Sequence, residues 1–387
     1  MRHWIHRLPF ARFQVLIAVF LLLSLRVQTQ PANALVLETT LHHGTLWRHT
    51  PKLTIQTGQP VFGQEWGLRL QTRGRRPWHQ WQRYPAFGLA IAHFHLGEQA
   101  HGNAWGLLPN LSVPVLRAGR WLAAFRVGTG LGYVSRPYDY FDNPRGNAIG
   151  SHWNNFTQFR LGAEVRLNPH WRLQSGISLS HFSNGASALP NFGVNLPGGY
   201  LSLAWSPKGI RETEFATTPE SKRLSRRWAA SVSGGLAMIE YSVYDGPRYP
   251  VWALSGGVLF HLNKVNRLQA GLEYEYNRAV RVFGLQAGQF RSENAARRGA
   301  TRLAVALADE FLFGALGVQV LAGIYTGPAG INRLVSGPWY SKLTVRYYFP
   351  PLLHASLRVH AGISLKAHHT TAEYISLNVG VEFSRKE

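Results

Sequence analysis

Arg267-Leu268-Gln269-Ala270-Gly271-Leu272-Glu273-Tyr274-Glu275-Tyr276-Asn277 alternates without a break. Successive side chains of a strand point to opposite sides, so Leu268, Ala270, Leu272, Tyr274 and Tyr276 share one face. Arg267, Gln269, Gly271, Glu273, Glu275 and Asn277 share the other. The split recurs in both directions along the chain. Phe159, Leu161, Ala163, Val165 and Leu167 oppose Arg160, Glu164 and Arg166, and Leu377, Val379 and Val381 oppose Ser376, Asn378 and Glu382. From residue 60 onward period two dominates, in segments of about ten residues punctuated by Gly, Pro, Asn or Asp, and helical periodicity is scarce.

A soluble sandwich also alternates, so environment is decided by length and by where the aromatics fall. The segments run roughly nine to thirteen residues, close to the 9 to 11 of a tilted membrane strand and longer than the usual 5 or 6. Trp171 opens one segment, Trp339 and Tyr340 open another, and Phe349 closes it, as interfacial girdles require. Hydrocarbon cannot satisfy backbone amides, so such strands must close on themselves. The expectation is an all-β fold, an antiparallel transmembrane β-barrel of roughly 14 strands (12 to 16) over residues 35–387. Leu35 to Ile55 is less regular and reads as a terminal strand or an extended lead-in. Ser206 to Arg227, with Pro207, Pro219 and mixed charges, reads as a long loop; a break between two smaller domains is the alternative, and alternation that resumes with the same character beyond it favours a single barrel.

Composition agrees. The 387 residues include 39 Gly, 13 Trp, 15 Tyr and 20 Phe, no Cys, and only 16% charged residues, which excludes a disordered chain, a collagen and a disulfide scaffold. Arg2, Arg7 and Arg12 precede an apolar stretch from Val15 to Leu25, shorter than the about 20 residues a spanning helix needs. Pro31-Ala32-Asn33-Ala34 follows, and residues 1–34 are expected to be a signal peptide cleaved after Ala34. The formal charge of +22, about +18 once residues 1–34 are removed, points an exported chain away from nucleic acid; the basic residues either meet anionic lipid headgroups or mostly solvate loops.

Chemistry concentrates in His181-Phe182-Ser183-Asn184-Gly185, followed after four residues by Pro190-Asn191-Phe192-Gly193-Val194-Asn195. Counting back along this strand, Leu173, Ile177, Leu179, His181 and Ser183 share the apolar face, opposite Arg172, Gln174, Ser178 and Ser180. A polar pair facing lipid near an interface costs about 1 kcal/mol, more at the midplane. Side chains two apart project side by side, so the imidazole is placed to act as general base for the Ser183 hydroxyl toward an ester inside the bilayer. A second reading puts both residues in the headgroup layer and makes Asn-Gly and Pro-Asn turn formers only.

These residues, with Asn147-Ala148-Ile149-Gly150-Ser151 upstream, resemble the outer-membrane lipid A 3-O-deacylase (PagL-type, acyloxyacyl hydrolase-like) family over about residues 145–200. The resemblance implies an outer-membrane β-barrel serine esterase that removes an ester-linked acyl chain from lipid A or lipopolysaccharide, with His181 as base and Ser183 as nucleophile. The family carries a Glu at the third position, which here is Asn195. Asn accepts a hydrogen bond from an imidazole without supplying a full charge. Asn184, Gly185 and Asn191 are candidate oxyanion donors, each equally at home in a turn. The chemistry calls for no cofactor and no metal.

Of the remaining clusters, His93-x-His95-x2-Glu98-x2-His101 has metal-ligand types, but Gly97 marks a strand end between them, and the expectation is no metal. His42-His43 and His368-His369 point to opposite faces and cannot chelate as dipeptides. Arg136, Arg145, Arg248, Arg291, Arg297 and Arg298 are placed near loops, where they either meet lipid A phosphates or are simply solvated. The rival readings are a non-catalytic barrel, such as a channel, transporter or structural protein, supported by the polar face of Arg160, Glu164, Glu273, Glu275, Lys342 and Arg346, and a soluble lipid-binding sandwich.

Overall fold

A computed structural model describes residues 33–54, 59–97, 100–211, 213, 215, 227–242, 244–327, 337–350, 356–368 and 371–384. The expected signal peptide therefore lies outside the described residues, except for Asn33 and for Ala34, the first residue of the first strand. The chain divides into two compact units: residues 1–183 with 192–218, and residues 184–191 with 219–387.

The first unit holds β1 (Ala34–Thr45), β2 (Pro60–Gln71), β3 (Ala86–His95), β4 (Asn103–Ala118), β5 (Trp121–Val134), β6 (Trp153–Arg166), β7 (Trp171–Ser183) and β8 (Val194–Trp205), with a short helix α1 (Pro77–Trp81) between β2 and β3. Neighbours pair antiparallel in sequence order, and β8 returns to β1 in the register Leu37↔Trp205 to Gly44↔Gly198, closing a barrel of eight. The second unit repeats the plan with β9 (Trp228–Glu240), β10 (Arg248–His261), β11 (Asn266–Asn277), β12 (Thr301–Phe313), β13 (Leu316–Tyr325), β14 (Trp339–Tyr348), β15 (Leu357–His368) and β16 (Thr371–Ser384), closed by β16 on β9. Helices α2 (Arg278–Gln286) and α3 (Glu293–Gly299) join β11 to β12.

One barrel of about fourteen strands is thus replaced by two closed barrels of eight. The stretch from Ser206, read as a loop within one barrel, is where the first barrel ends and the second begins, though residues 216–226 lie outside the described set. The physical reason is edge satisfaction: β8 finds its partner in β1, so no open edge remains to carry the sheet onward. Alternation cannot signal this, because a strand facing lipid and lumen looks the same whichever strand closes the ring. Turns as short as Gly119-Arg120 and Gly314-Ala315, each with its Gly at positive φ, also fit more strands into the length. Leu35 onward is a full barrel strand.

Burial is inverted relative to a water-soluble protein. On β11, Leu272 is 65% exposed while Arg267 on the other face is 1% exposed. On β7, Ile177 is exposed while Arg172, Gln174, Ser178 and Ser180 are buried. No described helix is long and apolar enough to cross a membrane. Buried charges must be paired, and they are paired across each lumen. In an eight-stranded ring, strands four apart face each other across the full diameter. Arg126 of β5 meets Glu38 of β1 at 3.1 Å, and Arg69 and Glu65 of β2 meet Glu164 and Arg160 of β6 at 3.2 and 3.1 Å. In the second barrel Arg302 of β12 pairs with Glu373 of β16, and Lys366 of β15 with Glu275 of β11. Gln174 adds 3.0 Å bonds to both Glu38 and Glu164.

Candidate active site

The polar lattice of the first lumen gives way, toward the end of β7, to an aromatic layer. Phe156 of β6 and Phe182 of β7 are cross-strand partners with stacked rings 4.4 Å apart, joined by Phe94 and by Leu96, Leu108, Ile149 and Val194. Gly106 exists for this packing: a Cβ there meets the Phe156 ring at 2.2 Å. Because Phe182 is locked inward, its neighbours His181 and Ser183 are held on the outer face, as alternation predicts.

The register then sets what surrounds them. His181 lies between Thr157 of β6 and Asn195 of β8, and Ser183 beside Asn155 of β6. All of these are outward positions. His181 Nδ1 is 2.6 Å from Asn195 Oδ1. With the Nδ1 proton donated to that oxygen, Nε2 keeps its lone pair and is the basic nitrogen. Gly193 approaches closely, since a Cβ there meets His181 Cε1 at 2.7 Å, and its φ of +86° also favours glycine. Its N–H donates to Ala148 O at 2.8 Å, tying the Asn147-Ala148-Ile149 motif to the site.

Ser183 is 2% exposed, and its Oγ is a buried atom with no hydrogen-bond partner. The structure therefore does not join Ser183 Oγ to His181 by a hydrogen bond, although both are on the expected face. Side chains two apart on one strand stand roughly 6.5 Å apart, so contact needs the two rotamers to lean together, and catalytic bonds often tighten only around substrate. Asn155 and Thr157 continue the polar set: Thr157 Oγ1 donates to Asn155 Oδ1 at 2.8 Å, and Asn155 Nδ2 to Thr129 Oγ1 of β5 at 2.9 Å.

The oxyanion candidates fall in residues 184–191 of the second unit. Asn184 is engaged in its own turn: Nδ2 donates to Ala188 O at 2.9 Å and its N–H to Asn191 Oδ1 at 3.0 Å. Gly185 has φ +60° and no room for a Cβ, with Ile375 2.6 Å away. Asn191 Nδ2 is a buried donor with no partner.

Sequence reasoning missed His49. It sits in the loop after β1, and Asn195 Nδ2 donates to its Nδ1 at 3.0 Å. It is 146 residues from Asn195, and no local pattern marks it. Of the proposed metal set, His93 packs on Trp105 with centroids 4.1 Å apart, His101 is buried, and Glu98 lies outside the described residues. No metal-holding group of three or more His, Cys, Asp or Glu occurs among the described residues. His42 is inside, 3.3 Å from Glu65, and His43 is outside, while His369 lies outside the described residues. Arg136, Arg145, Arg291, Arg297 and Arg298 are exposed, and Arg248 stands 4.0 Å from Glu240.

Residues 64–204 match the family profile described as lipid A 3-O-deacylase (PagL), and residues 226–385 match acyloxyacyl hydrolase, C-terminal domain. No curated protein matches the chain. Among solved structures, the KdgM porin is 8% identical, covering 73% of this chain and 94% of its own at a TM-score of 0.17. CdiB from Acinetobacter baumannii is 9% identical, with 91% and 60% covered and a TM-score of 0.19. A Rhodopseudomonas blastica porin triple mutant is 10% identical, with 91% and 100% covered and a TM-score of 0.19. Likeness at this level carries no argument about activity.

Proposed function

Because the chain belongs to the lipid A 3-O-deacylase (PagL) family, we propose that it is an outer-membrane serine esterase that removes an ester-linked acyl chain from lipid A. The observation that carries the mechanism is the outward-facing His181–Asn195 hydrogen bond beside a buried, partnerless Ser183 hydroxyl. A buried hydroxyl left unpaired costs about 1 to 3 kcal/mol, and such orphans are expected where a substrate supplies the missing partner.

In this reading the ester carbonyl comes to Ser183 from the lipid side. His181 Nε2 takes the Oγ proton as Oγ attacks the carbonyl carbon, and Asn195 Oδ1 keeps the Nδ1 proton in place. The tetrahedral intermediate needs hydrogen-bond donors about 3 Å from its developing oxyanion. Collapse breaks the bond to the sugar oxygen, which leaves with the proton from His181. Water then attacks the acyl-serine by the same route in reverse and releases the fatty acid.

Location in the outer membrane is supported by the apolar exterior, from Leu272 and Ile177 to Leu307, and by the charges drawn inward. A water-soluble sandwich does not leave such a surface exposed. A channel is disfavoured by ion pairs that span each lumen. Mass spectrometry of lipid A from cells expressing the protein tests the reading. Loss of one acyl mass with the parent, absent with Ser183→Ala, is expected. Unchanged lipid A with well-assembled parent protein overturns the enzymatic reading, and the same loss with Ser183→Ala overturns the nucleophile.

A further inference from the structure

An asparagine where the family resemblance implies a glutamate raises a problem of orientation. A carboxylate presents an acceptor oxygen whichever way it turns. A carboxamide has one accepting end and one donating end. If Asn195 turns over, Nδ2–H faces His181 Nδ1, which must then be the bare nitrogen, and the proton moves to Nε2. That is the nitrogen required to receive the Ser183 proton, so the turned amide removes the base. Something must choose between the two orientations.

We infer that His49 is the positioning residue that makes this choice, by accepting Asn195 Nδ2–H and so directing Oδ1 to His181. The inference rests on the esterase reading above and names a member of that same site. Asn195 lies between two imidazoles, with Oδ1 2.6 Å from His181 Nδ1 and Nδ2 3.0 Å from His49 Nδ1. With the Nδ1 lone pair of His49 facing it, the observed orientation makes two hydrogen bonds. The turned one sets oxygen against a lone pair at one end. A backbone carbonyl, Trp47 O, lies 3.3 Å from the same His49 nitrogen and competes only when that nitrogen carries a proton.

His49 is held for this work from both sides of its loop. Trp47 N–H donates to Asn195 O at 2.9 Å, so the loop is stitched directly to the strand it serves. Leu46 and Leu53 are buried in the aromatic layer beneath the site. Asn147 clamps the far side, with Nδ2 donating to Lys52 O at 2.8 Å and Oδ1 accepting Thr54 N–H at 3.0 Å. The Asn147 motif, which the catalytic chemistry leaves unused, thereby gains a role: it fixes the segment that carries His49.

The test uses the full chain in detergent micelles, with nitrogen-15 in histidine and the His181 signals identified by their loss in His181→Gln. In the parent, His181 is expected to carry its proton on Nδ1. His49→Ala should shift that proton toward Nε2, and His49→Asn, whose Oδ1 reaches the place of the imidazole Nδ1, should restore it. In deacylation of purified lipid A, His49→Ala is expected to cost roughly 10- to 100-fold in kcat with KM within about twofold, the scale seen when partners that orient metal-bound imidazoles are removed. The same His49→Ala change in an Asn195→Glu background should cost little, because a carboxylate needs no choosing. An unchanged His181 tautomer in His49→Ala, or an equal kcat loss in both backgrounds, overturns the inference. If the parent leaves lipid A untouched, the esterase reading fails, and the tautomer measurement still decides what His49 does.

Discussion

The two barrels share strand number, antiparallel order, inverted burial and ion pairs across the lumen, yet among the described residues only the first bears an outward polar array that crosses four strands. On β5 to β8, Thr129, Asn155, Thr157, His181, Ser183 and Asn195 occupy positions that elsewhere hold Leu161, Ile177, Leu201 and Leu203. On β11 to β13, the same outward positions carry Leu268, Leu272, Leu303, Val305, Leu307, Val320 and Ile324, all strongly exposed. An outward polar pair in the second barrel, Asn266 with Asp309, sits beside the short turn opening β11. The lesson is that a barrel's function is read from where its exterior breaks the apolar rule, since keeping polar groups in hydrocarbon costs free energy that packing alone does not return.

The largest test of that contrast pairs two serines on outward faces. Ser183→Ala is expected to reduce lipid A deacylation by about a thousandfold or more, whereas Ser341→Ala on β14 of the second barrel should leave it within twofold of the parent. Timed release of fatty acid from purified lipid A reads both. A matching loss at Ser341 breaks the contrast. Next in size is Asn195→Leu, which strips His181 Nδ1 of its acceptor while keeping the side chain outward. Roughly a hundredfold loss in kcat is expected, since a wrongly held imidazole tautomer forfeits most of the base catalysis. A loss in KM alone would show that Asn195 only helps bind substrate.

Much of this was legible in the sequence, for a physical reason. Alternation is a local consequence of strand geometry, so the faces of β6, β7, β11 and β16 and the outward placing of His181 and Ser183 follow from counting by twos. Trp171 and Trp339 open their strands as expected. Ring closure was not legible, because the pairing of Leu37 with Trp205 joins segments far apart in sequence through backbone hydrogen bonds that any residue can make. The omission of His49 has the same origin. Only when β8 returns to β1 does the loop after β1 arrive at Asn195, so a site member was invisible until the first ring was known to close at eight strands.

The contrast also predicts how the barrels respond to loss of their interiors. Glu373 of the second barrel pairs with both Arg302 and Lys366 in a buried setting. Glu373→Gln leaves those cations short of a counter-charge, and about 3 to 5 kcal/mol of destabilisation is expected from urea unfolding followed by tryptophan fluorescence. Deacylation per folded molecule should hold, because the proposed nucleophile, base and orienting residue, Ser183, His181 and Asn195, are carried by strands of the first barrel. A proportionate fall in specific activity would show that the second barrel takes part in the chemistry and would end the division of labour drawn above.

The smallest effect belongs to the exposed helical cap. Glu293 at the start of α3 receives a hydrogen bond from Arg281 and another from Arg297, at 3.1 Å from the latter. The Arg281 bond, more than the others, holds its carboxyl below the ordinary glutamate value against a partial burial that opposes the charge. A carboxylate with a lowered value in the folded state stabilises that state at pH above its unfolded value, and the contribution vanishes as pH falls through the lowered one. Glu293→Gln should therefore lower the thermal midpoint slightly at neutral pH and not at all in strong acid, and added salt should shrink the difference, because exposed pairs are screened. A difference that persists in acid would mean that Glu293 acts through helix capping rather than through its charge. The cap would then resemble the ordered interior of its barrel more than a solvated surface.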